Sequence, residues 1–127
     1  MLEAFITAVI FAPFIEEILF RMPLKYENNY LFIFFQGFTE KSVEKFWIKH
    51  FKIFFYTLCL AFGFMHLSNY KNQETIFYLL SPIIIMAQNF AGFIMGYIRM
   101  HLGLLWSILL HGLHNFTVVI VLGLMFD

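Results

Sequence analysis

Long uncharged stretches alternate with short polar ones along this chain, and their lengths predict membrane-crossing helices. A helix rises about 1.5 Å per residue, so crossing roughly 30 Å of hydrocarbon takes about 20 mostly apolar residues. Ile53 to Tyr70, Thr75 to Ile98 and Met100 to Phe126 contain no Asp, Glu, Lys or Arg. A fourth stretch is uncharged from Ala4 to Ile15 and stays apolar to Leu24 once Glu16, Glu17 and Arg21 are included. The pattern predicts an all-α, polytopic transmembrane bundle of about four spans, forming one membrane-embedded domain over residues 1–127.

The connections refine this picture. Those near Asn69 to Glu74 and Arg99 to Gly103 are short, which makes the last three spans an antiparallel bundle. The longer polar connection from Lys25 to Lys52 holds an apolar run, Tyr30 to Phe38, too short to span and expected as a re-entrant or interfacial piece. Gly92 and Gly96 form a GxxxG on the third span, with Ala87 and Ala91 at the same spacing before it. Small residues spaced by four let helices approach closely in lipid, so this stripe is expected as a packing face, with Gln88 and Asn89 bonding across helices.

Composition agrees with a lipid solvent. Of 127 residues, 61% are hydrophobic and 13% charged, whereas soluble domains carry about 25% charged residues. Eight Lys and Arg balance eight Asp and Glu, giving no sign of nucleic-acid binding, and the single Cys59 excludes an intrachain disulfide framework. The chain opens Met-Leu-Glu and runs on in large side chains, so no cleaved leader is expected. In a four-span count Arg21, Lys25, Lys41, Lys45, Lys49, Lys52 and Arg99 share one side and only Lys71 lies opposite. The positive-inside rule makes that first side cytoplasmic, in a multi-pass protein expected in the cell membrane.

Ionisable groups inside spans are costly and mark candidate sites. Glu17 and Arg21 are four apart and can pair on one helix face, while Glu16 is turned about 100° away and meets a different neighbour. His66 closes the second span in Phe62-Gly-Phe-Met-His66, and by itself would pass for an interfacial histidine. The last span carries His111-Gly-Leu-His114-Asn115, with His111 and Asn115 on one face and His114 at its edge. The plainer readings are snorkelling acids and an Asn that serves as helix glue.

Taken together, Glu-Glu-x-x-x-Arg, Phe-x-x-x-His and His-x-x-x-Asn, one on each of three spans, resemble the CAAX-protease and bacteriocin-processing family of intramembrane endopeptidases. That group includes the type II CAAX prenyl endopeptidases. Arg99, Gly103 and Trp106, leading into His111, also look like that family's last core helix, and the resemblance covers Phe14 to Asn115. Relatives usually carry further helices before the double-Glu motif and a shorter connection after the Arg. The resemblance implies that Glu16 and His66 hold and activate a water, that His111 and Asn115 stabilise the oxyanion, and that Glu17 and Arg21 support Glu16 from behind. The implied substrate is a membrane-associated protein or peptide.

Two alternatives stand beside this reading. Glu16, His66, His111 and His114 are four possible zinc ligands. No HExxH occurs, however, and neither Glu16 nor His66 has a second ligand on its own helix, so no metal or other cofactor is expected. A non-catalytic bundle, such as a bacteriocin-immunity or scaffold protein, or a proton-conducting helper would use the same buried acids and histidines. A protease needs Glu16, His66, His111 and Asn115 around one pocket, whereas a proton path strings them along the membrane normal. Four plain spans would put Glu16 and His66 at opposite depths. Bringing them together is expected to require a bend near Pro23 and a dip of residues 30–38 into the membrane.

Overall fold

The computed structural model describes residues 2–26, 40–71 and 74–126, and within them every regular element is helical. Helix α1 (Leu2–Ile6) runs through a π-helical turn (Thr7–Phe11) into α2 (Ala12–Phe20), and a 3-10 turn follows (Met22–Leu24). Then come α3 (Glu40–Met65) with a 3-10 end (His66–Asn69), α4 (Thr75–Ile84), α5 (Met86–His101) and α6 (Leu104–Phe126). Among the described residues, three stretches are long and apolar enough to cross a membrane: Ser42–Asn69, Thr75–His101 and Leu104–Val121, with mean hydropathies of 1.4, 1.6 and 1.7. The Leu2–Phe20 segment is the fourth apolar piece, and it carries Glu3, Glu16 and Glu17.

The distribution of side chains is that of a protein dissolved in lipid. Leu79, Ile83, Phe90 and Leu105 are each about two-thirds or more exposed, at 73%, 67%, 67% and 66%, while Glu17, Arg21 and Ser107 are completely buried. Polar groups inside and bulky apolar groups outside reverse the soluble arrangement, as expected where hydrocarbon surrounds the bundle.

Helix boundaries depart from the sequence expectation in three places, each with a local cause. The second span's helix begins at Glu40 rather than Ile53, because the intervening Lys and aromatic residues continue the helix past the hydrocarbon edge. The third span is broken at Ile85 into α4 and α5. Pro82 lies three residues ahead of that break and has no N–H to give the Tyr78 carbonyl, which instead accepts from Ser81 Oγ at 2.8 Å. The last helix starts after Gly103, whose φ of +110° is a backbone conformation that side-chain-bearing residues rarely adopt. Residues 30–38 lie outside the described residues; the 3-10 turn at Met22–Leu24 ends the first helical segment where the bend near Pro23 is expected.

Gly92 and Gly96 do form a packing face, turned toward α3. A Cβ on Gly92 would sit 3.2 Å from the Cys59 carbonyl oxygen and 3.2 Å from the Phe62 ring; one on Gly96 would sit 2.9 Å from the Phe55 ring. Since the Cys59 carbonyl belongs to a helix backbone and cannot swing aside, Gly92→Ala should destabilise the protein by about 1–3 kcal/mol. Unfolding midpoints in detergent test this, and a midpoint equal to the parent's would refute the close packing. Among the described residues, Gln88 and Asn89 make none of the hydrogen bonds across helices that the sequence leads one to expect. Asn89 lies directly over Gly63 of α3, and among the described residues the buried oxygens Gln88 Oε1 and Asn89 Oδ1 have no hydrogen-bond partner.

Candidate active site

The first helical segment owes its shape to a proline. In the π-helical turn the Ala12 N–H bonds to the Thr7 carbonyl, five residues back. The Ala8 carbonyl would then look to residue 13, but Pro13 has no N–H to offer. Asn115 of α6 fills the vacancy, its Nδ2 donating to the Ala8 oxygen at 2.8 Å. Single π turns of this kind are frequent at functional sites. Gly112, one turn before Asn115, brings α6 close to the same segment, where a Cβ would be 2.9 Å from the Val9 carbonyl.

Beyond Pro13, the two adjacent acids separate as their positions on the helix require. Glu17 is fully buried and turned toward α6. It accepts hydrogen bonds from Ser107 Oγ and from His111 Nδ1, the latter at 3.0 Å, and lies 3.7 Å from Arg21 Nε. The expected Glu17–Arg21 ion pair is thus present, but the shorter contacts hold Glu17 to α6. Arg21 is also fully buried, with its guanidinium 4.3 Å from the centre of the Phe62 ring, a geometry in which the ring face attracts the cation. The Arg21 carbonyl accepts from Arg99 Nε at 3.2 Å, which ties the end of the first segment to α5.

Glu16 faces a cavity of about 420 Å³ whose wall also includes His66, His111, His114 and Asn115. One water's share of liquid volume is about 30 Å³, so the space has room for water and for part of a substrate. All four residues proposed for catalysis from sequence therefore meet at one cavity. Ala8 and Ala12 line it from the first segment and Ala87 and Ala91 from α5. The two alanines of α5, expected to extend the glycine packing stripe, instead form cavity wall, because their short side chains leave space between helices that the flanking glycines close.

The tautomers follow from the partners. His66 Nδ1 lies 2.8 Å from the Phe62 carbonyl, which can only accept, so Nδ1 bears the proton and Nε2 presents a lone pair. His111 Nδ1 likewise donates to Glu17, and its Nε2 is 3.6 Å from Glu16 Oε2. His111 therefore sits between both acids, and Phe62 packs edge-on against it at a ring separation of 5.5 Å. Among the described residues, no three His, Cys, Asp or Glu side chains gather closely enough to hold a metal ion.

Sequence reasoning missed Ser107. It is fully buried and contacts both Glu17 and, at 3.0 Å, the Met95 carbonyl, joining α2, α5 and α6 at one hydroxyl. The available signal was its spacing: Ser107, His111 and Asn115 recur every four residues along one face of an otherwise apolar helix.

A helical bundle with apolar flanks, a cavity lined by one acid, three histidines and an asparagine, and a second acid buried behind it define a polar site between apolar helices. The family model for Rce1-like type II CAAX prenyl endopeptidases matches residues 1–117, and the chain belongs to that family of integral membrane peptidases. No curated protein and no solved structure matches it.

Proposed function

We propose that this protein is an intramembrane endopeptidase that hydrolyses a peptide bond in a membrane-associated protein or peptide, without a metal. The observation that carries this reading is the convergence of Glu16, His66, His111 and Asn115 from three separated segments on one cavity. A proton path would spread such groups along the membrane normal.

The chemistry divides among the groups according to their bonding. Hydrolysis needs a base to take a proton from water and donors aimed where charge develops on the carbonyl oxygen. Glu16 makes no hydrogen bond through its buried Oε2, and His66 has a free lone pair at Nε2, so these two are suited to hold and deprotonate water between them. Asn115 commits one of its two amide hydrogens to Ala8 and keeps the second for an oxyanion. His111 donates through Nδ1 to Glu17, so its Nε2 can donate to an oxyanion only when the ring carries both protons, a charge that Glu16 and Glu17 flank. Glu17 and Arg21 act from behind, fixing the ring of His111 and the packing of Phe62.

Terminal-peptide mass spectrometry on membranes expressing the chain or its Glu16→Ala variant tests the proposal. Peptide ends found only with the unmutated chain are expected, and they identify the substrate as well. Activity of the purified protein on that substrate should survive dialysis against a chelator. Loss on dialysis with recovery on adding zinc would overturn the metal-free mechanism.

A further inference from the structure

A second cleft, of about 410 Å³, lies between α3 and α5 away from the site described above. Phe51, Phe55, Tyr56 and Tyr97 line it, with Lys52 and His101 as its polar members, and among the described residues no carboxylate contributes to its wall. Its depth in the membrane follows from the sequence of the two helices. Lys52 is the last charged residue before the uncharged run from Ile53 to Tyr70, and Arg99 and His101 follow the uncharged run from Thr75 to Ile98. Because Gly92 and Gly96 pack against Cys59, Phe62 and Phe55, the two helices run antiparallel and bring these charged ends to the same side. The cleft therefore has rings on the hydrocarbon side and cations on the water side, the order of tails and headgroup in a phospholipid.

We propose that this cleft binds one anionic phospholipid, its phosphate paired with Lys52, its headgroup hydroxyl bonded to His101, and its chains laid against Phe55, Tyr56 and Tyr97. Each part has a reason. Lys52 is exposed, and Lys45 and Lys49 continue the same helix face toward water, so the local field favours a headgroup with no amine of its own. His101 donates through Nδ1 to the Tyr97 carbonyl at 2.9 Å and stacks on the Tyr97 ring at 3.9 Å. That bond fixes the ring and leaves Nε2 to accept from a hydroxyl, such as those on phosphatidylglycerol. Arg99, another cation at this level, is turned inward to the Arg21 carbonyl and buried, and so does not compete for the lipid. Tyr56 and Tyr97 are 55% and 58% exposed, so both rings present surface to acyl chains even with His101 stacked on one side of Tyr97. The site is separate from the cavity holding Glu16 and does not depend on peptidase activity.

Native mass spectrometry of the full chain released from mixed phosphatidylglycerol and phosphatidylcholine micelles reads the lipid retained. The parent should keep phosphatidylglycerol in preference to phosphatidylcholine. Lys52→Gln and His101→Ala should each lower that preference about fivefold, the effect of one cation or polar contact near a charged surface. Both positions are exposed, and Lys52→Gln keeps most of the stem, so folding is expected to survive; a matching unfolding midpoint confirms it for each variant. The double variant Lys45→Gln, Lys49→Gln, which removes charge about one and two helical turns outside the cleft, should lose less of the preference than Lys52→Gln does. No preference in the parent, unchanged retention in the Lys52 and His101 variants, or an equal loss in the Lys45/Lys49 variant would overturn the proposal, the last by showing that diffuse charge alone attracts the lipid.

Discussion

Glu16→Gln is expected to lower peptide turnover by about 10²- to 10⁴-fold while leaving the unfolding midpoint near the parent's. That range is the usual contribution of a positioned general base. The stability half of the expectation comes from where Glu16 sits. It borders the cavity, its Oε2 makes no hydrogen bond, and His111 Nε2 is 3.6 Å away, beyond hydrogen-bond length. A carboxamide of the same shape keeps the packing and removes the basicity. Equal turnover in Glu16→Gln and the parent would end its assignment as the base.

Glu17→Ala should show the opposite balance, with a loss of about 3–5 kcal/mol in stability, the size seen when one partner of a buried ion pair is removed. Glu17 takes contacts from Ser107, His111 and Arg21, all three buried. Its loss leaves an uncompensated guanidinium over Phe62 and an Nδ1–H of His111 with nothing to accept it. Denaturant unfolding in detergent measures the change. A fully stable but inactive Glu17→Ala protein would mean that Glu17, rather than Glu16, does the chemistry.

The adjacency of these two acids shows what a sequence can say and where it stops. Spacing by four pairs Glu17 with Arg21, and a rotation of about 100° turns Glu16 to the cavity; both relations are properties of one helix and hold in the structure, although both acids reach the same His111. The grouping of His111 with Asn115 on one face of α6 is equally local. What spacing could not supply is the partner across helices. Pro13 and Pro82 are plainly without an N–H, but only the packed bundle reveals that Asn115 from a distant helix serves the carbonyl left open near Pro13, while Ser81 next door serves that of Tyr78. Ser107 escaped notice for the same reason, because a lone hydroxyl on an apolar helix has meaning only once Glu17 is opposite it. The role of Ala87 and Ala91 as cavity wall is not legible from spacing, since small residues at four-residue spacing admit either a close helix or a void, and the choice depends on what stands across from them.

The central claim, that Glu16 and His66 act on one water, is tested most directly by a double-mutant cycle on turnover with the substrate that terminal mapping identifies. Groups that serve one step together lose their effect together. Glu16→Gln, His66→Ala and the double variant should therefore all fall to nearly the same residual rate. If the double variant instead loses the product of the two single losses, the groups act independently and do not share a water.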